Sequence, residues 1–102
     1  MIGTDRKASI AARLRARGST VLGIDFNPAV IQHWRELGFA AEYGDASDGE
    51  FIAGLTLAGV RWAVATVPPH AIGVTHNDPR LAIIQALRAA GYKGRIALYN
   101  DG

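Results

Sequence analysis

Residues 20–30 read Thr-Val-Leu-Gly-Ile-Asp-Phe-Asn-Pro-Ala-Val, a complete strand-to-helix junction. Thr20 to Asp25 is a short, nearly continuous apolar run, the pattern of a strand covered on both faces. Asn27-Pro28 then supplies an N-cap and a proline at the first helical position, where the missing N–H costs nothing. The helix that follows is expected to run to about Leu37. Val30, Ile31, Trp34 and Leu37 form its apolar stripe, and Gly38 ends it.

Upstream, residues 5–17 read as a helix, with Ile10 and Leu14 four apart and Gly18 closing it. Downstream, Phe39 to Tyr43 is a second short strand. Ser47-x-x-Glu50 has the form of a capping box, opening a short helix with Phe51, Ile52 and Leu55. Arg61 to Val67 (RWAVATV) is a third strand, stopped by Pro68-Pro69, and residues 70–77 read as a loop. Asp78-Pro79 opens another helix, with Leu81, Ile84 and Leu87 facing inward and Gly91 at its end, and Arg95 to Tyr99 is the last strand. The order is α-β-α-β-α-β-α-β. Strands separated by helices require crossover connections and hence a parallel sheet. The expected class is therefore α/β, a Rossmann-like doubly wound sheet of about four strands with helices on both faces. Its first strand is largely missing, because only Met1-Ile2 stands ahead of the first helix. That loss either sets the 20–25 and 61–67 strands side by side or leaves a slot between them.

The chain of 102 residues suits a single domain, 1–102, standing alone or as a fragment of a longer protein. Its formal charge of +2 is too mild to mark a nucleic-acid binder. Arg6, Lys7, Arg13, Arg15 and Arg17 crowd the first helix, but no aromatic residue is interleaved to stack a base, so they read as a solvated face. Cysteine is absent, which excludes disulfides, thiolate metal sites and cysteine nucleophiles. His33, His70 and His76 lack metal-ligand spacing, and no metal is expected. No apolar run reaches the roughly 18–20 residues of a membrane span, and the start has no signal-peptide plan. The expected location is cytoplasmic, including as the soluble part of an inner-membrane protein.

Candidate chemistry lies in the front half. A dinucleotide site ends its first strand in G-x-G-x-x-G, so that the backbone can approach a pyrophosphate at a helix N-terminus. Here Gly3-Thr4-Asp5-Arg6-Lys7-Ala8 keeps the first glycine, replaces the second with Asp5 and the third with Ala8. An ordinary helix start capped by Thr4 or Asp5 accounts for the same residues. Asp25 ends its strand 22 positions after Gly3, close to the roughly 20-residue spacing of the acid that holds an adenosine ribose. It also suits a turn cap before Asn27-Pro28. Tyr43-Gly44-Asp45-Ala46 follows the next strand and either borders an adenine or forms a plain turn. No nucleophile–base pair or acid–base dyad is visible, so no catalytic residue is assigned and an enzyme is not expected.

Asp25-Phe26-Asn27-Pro28-Ala29-Val30, Gly38-Phe39 and Tyr43-Gly44-Asp45-Ala46-Ser47-Asp48 together resemble the N-terminal RCK domain, the regulator of K⁺ conductance. Arg80 to Gly91 and Lys93-Gly94-Arg95-Ile96-Ala97 look like that family's last crossover helix and strand. The resemblance covers roughly residues 9–100. It implies a Rossmann-like regulatory domain of a potassium channel, potassium-uptake system or cation–proton antiporter, with NAD(H) or another adenine nucleotide as ligand. By position, Gly3, Asp25, Phe26, Asp45 and Ala46 are the implied cofactor-binding residues. A homodimer and a membrane transporter or channel subunit are the implied partners, with no nucleic acid. The departures are the missing first strand and Asp5 at the second glycine, which put nucleotide binding itself at stake. Two further readings share the acid at a strand end. One is a fragment of an S-adenosylmethionine-dependent methyltransferase, and the other is the cofactor half of an NAD-dependent dehydrogenase.

Overall fold

The structure, a computed structural model, describes residues 6–67 and 78–100. Eight elements alternate: α1 (Arg6–Ala16), β1 (Val21–Asp25), α2 (Pro28–Glu36), β2 (Ala40–Tyr43), α3 (Gly49–Ala53), β3 (Trp62–Val67), α4 (Pro79–Ala89) and β4 (Arg95–Asn100). All four strands are parallel, in the order β2-β1-β3-β4. The α/β, Rossmann-like reading of the sequence therefore holds. Gly3, the Thr4 and Asp5 caps, the Pro68-Pro69 stop, the 70–77 loop, His70 and His76 lie outside the described residues.

Strand alternation sorts the sheet residues into two cores. On one face Val21, Val64 and Ala41 pack with Ala8 and Ala11 of α1 and Ile31 and Trp34 of α2. On the other, Leu22, Ile24, Ala63, Ala65 and Val67 pack with Ile52 of α3 and Ile83 and Leu87 of α4. Gly23 makes room for Trp34. A Cβ there would lie 2.3 Å from the indole ring, so the ring sits against the β1 backbone itself. Left-handed glycines at Gly18, Gly38 and Gly91 end the three longer helices.

No slot separates the 20–25 and 61–67 strands. β1 pairs directly with β3, in the register Val21↔Trp62 through Ile24↔Ala65. Three local expectations are corrected. The cap of α3 is Asp48, whose carboxylate accepts from the Glu50 amide at 3.0 Å, and not Ser47, which donates instead to Asp45. Leu81 is exposed, because the face of α4 on the sheet is set by Ile83 and Leu87, and at 100° per residue Leu81 turns away from both. Leu37 is also exposed: it is the C-cap of α2, beyond the last turn that reaches the sheet.

Candidate functional site

In an open parallel sheet, ligands enter the crevice outside the carboxyl ends of two neighbouring strands whose connections leave in opposite directions. Here those strands are β1 and β3. β1 continues through α2 to β2 on one side, and β3 through α4 to β4 on the other. The switch point therefore lies between these two strands, and its floor is made by the ends of β1 and β3.

Asp25 stands at that floor and is 2% exposed. Its Oδ1 accepts from the Asn27 amide at 2.8 Å, and its Oδ2 accepts from the Thr66 hydroxyl at 2.5 Å. The first contact is the turn cap that the sequence also allowed. The second ties β1 to β3. Asp25 pairs with Tyr43 across β1 and β2, and its carbonyl accepts from the Gly44 amide at 2.9 Å. The Asp25 end and the Gly44–Ala46 turn are therefore adjacent, as a shared adenosine-side site requires. Phe26 follows Asp25 directly and is half-buried.

Asp45 shapes its own turn. Its Oδ1 accepts from the Ser47 amide at 2.8 Å and from the Ser47 hydroxyl at 2.6 Å, while its carbonyl accepts from the Asp48 amide. Ala46 is 1% exposed, and its methyl belongs to the core beside Ile52. Gly44 lets that turn close on Phe51, whose ring would be 2.5 Å from an added Cβ.

Helix N-termini attract phosphate through free amides, but the N-terminus of α2 offers few. Pro28 has no N–H, the Asn27 side chain accepts from Ala29 at 2.9 Å, and the Val30 amide bonds the Asn27 carbonyl. The helix that the sequence places at a pyrophosphate is α1. It runs into β1 through Gly18, so its N-terminus lies at the carboxyl end of the sheet. The described residues thus bring Asp25 and the Gly44–Ala46 turn together at one end of the sheet. The Asp25 carboxylate, however, is already engaged inside the protein.

Thr66 was not singled out in the sequence. The signal available was a single hydroxyl at the carboxyl end of the apolar run WAVATV. Arg15 of the basic first helix lies over the Phe39 ring, 5.6 Å from its centroid, and donates to the Leu37 carbonyl. Among the described residues, no group of three or more His, Asp or Glu is placed to hold a metal ion, and no helix is long and apolar enough to cross a membrane.

The family model described as the TrkA-N domain matches residues 2–101. A solved structure from Archaeoglobus fulgidus, described as the NAD(P)-binding domain of an exopolyphosphatase-related protein, is similar at 26% identity with a TM-score of 0.59. The match covers 86% of this chain and 62% of that one, so the chain spans less than two thirds of its neighbour. No curated protein matches the sequence.

Proposed function

The chain belongs to the TrkA-N domain family, and from that premise we propose that it is a regulatory domain sensing NAD(H) or another adenine nucleotide for a potassium channel, potassium transporter or cation–proton antiporter. One observation carries the reading. Asp25 and the Gly44–Ala46 turn, apart in sequence, meet at the carboxyl ends of two neighbouring parallel strands beside the switch point. In the proposed complex the ribose hydroxyls donate to the Asp25 carboxylate. Phe26 and Asp45 border the adenine, Ala46 contributes backbone because its methyl is committed to the core, and Gly3 is assigned to the phosphates by its place in the family's motif alone.

The proposed role is binding without catalysis. Nucleotide occupancy biases a hinge or homodimer geometry, and that bias passes to a membrane partner from the cytoplasmic side. A thermal-shift titration with NADH, NAD⁺, ATP, AMP and S-adenosylmethionine, repeated on Asp25→Ala, tests it. A ligand at a hundredfold excess over Kd stabilises the native state by about 2.7 kcal/mol. For a domain of this size that is on the order of 10 °C. The expected result is a rise with NADH or an adenine nucleotide that Asp25→Ala loses. A rise with S-adenosylmethionine alone would assign the chain to the methyltransferase class. No rise with any of the five, in a protein that melts cooperatively, would overturn the reading.

A further inference from the structure

Thr66 interrupts an apolar strand at the place where β1 and β3 part. Thr66 and Asp25 are 1% and 2% exposed, and the Thr66 hydroxyl donates to the Asp25 carboxylate at 2.5 Å. The Asn27 amide holds the other carboxylate oxygen, so the chain's own donors fix the acid from two sides. A ribose hydroxyl needs an acceptor it can reach, and a carboxylate buried to this degree presents little of itself to solvent. The crevice acid is closed by the protein's own hydroxyl, and that hydroxyl belongs to the opposite side of the switch point.

We propose that Thr66 is a positioning residue that gates Asp25. A nucleotide binds by exchanging the Thr66 hydroxyl for a ribose hydroxyl on the same carboxylate, and the released Thr66 frees the end of β3 from the end of β1. The proposal rests on the nucleotide-sensing reading above and adds how that site is regulated. The exchange replaces one hydroxyl donor with another on Asp25 Oδ2 and transfers no proton. Two consequences follow. The wild-type protein binds more weakly than its residues allow, because the closed arrangement has to open first. Binding also changes the β3–α4–β4 half, which touches no adenosine, and so provides a route for a signal.

Thr66→Val keeps the shape and removes the donor, opening the clasp in advance. Thr66→Ser keeps the donor. Calorimetric titration of the wild type and both variants with NADH and with AMP distinguishes the roles, and melting curves establish that each protein is folded. Thr66→Ala replaces Thr66→Val if the latter does not fold. We expect Thr66→Val to bind about five- to tenfold more tightly than the wild type, the worth of one such hydrogen bond, and Thr66→Ser to bind like the wild type. Binding by Thr66→Val where the wild type shows none supports the gate equally. A purely structural Thr66 predicts the opposite sign. If Thr66→Val binds no more tightly than a wild type that does bind, the gate is overturned and the nucleotide reading stands. If no protein binds either ligand, both fall.

Discussion

The sequence offers the side chain of Asp25 two roles, a turn cap and a ribose acid. It caps the turn into α2 through the Asn27 amide and lies beside the Gly44–Ala46 turn, where the proposed nucleotide would meet it. The position of Asp25 was legible because an acid ending an apolar run marks the carboxyl end of a buried strand. Its engagement was not, because Thr66 is 41 residues away and meets it only through the β1–β3 register. Ala46 shows a different gap. The sequence places it beside the adenine, yet a small apolar residue next to a turn serves a core equally well, and here its methyl does so. Gly23 gives a sharp test of packing at this scale. Gly23→Ala drives a methyl into the Trp34 ring and should destabilise the protein by about 1–3 kcal/mol, read from urea unfolding with the m-value unchanged.

Among the elements, the helix starts were more legible than the helix faces. Asn27-Pro28 and Asp78-Pro79 both open helices as the sequence indicates, because cap and proline act locally. Faces depend on where each helix meets the sheet, and exposed Leu37 and Leu81 are the result of reading them without it. The capping box at Ser47 misled by one residue, since Asp45 claims the serine hydroxyl and leaves Asp48 to cap α3. Asp48→Ala should therefore cost about 1 kcal/mol in denaturant unfolding. At the start of α4 the Arg80 side chain, and then the Arg80 amide, hold the Asp78 carboxyl below the usual carboxylate range. A lowered folded-state value gives stability that is present above the ordinary carboxylate value and lost as pH falls through the lowered one. Asp78→Asn keeps a capping side chain and loses the charge. Its stability should fall short of the wild type at neutral pH, and the gap should close in acid and narrow in high salt, because the pair is exposed.

At the scale of the whole molecule, the alternating order fixed a parallel sheet but left two outcomes for the 20–25 and 61–67 strands, side by side or parted by a slot. Direct β1–β3 pairing is the physical resolution: a slot would leave two rows of backbone donors and acceptors buried without partners, and pairing satisfies them. Asp25 and Thr66 consequently meet at the carboxyl ends of β1 and β3, and whether a nucleotide enters there is the central question. The most direct measurement follows the backbone amide resonances of the folded protein during titration with NADH. Binding at this crevice predicts saturable shifts at Asp25, Phe26, Asn27, Gly44 to Ser47 and Thr66, with smaller changes spreading along β3. Shifts confined to another surface, or none at concentrations that saturate related nucleotide sites, would contradict it.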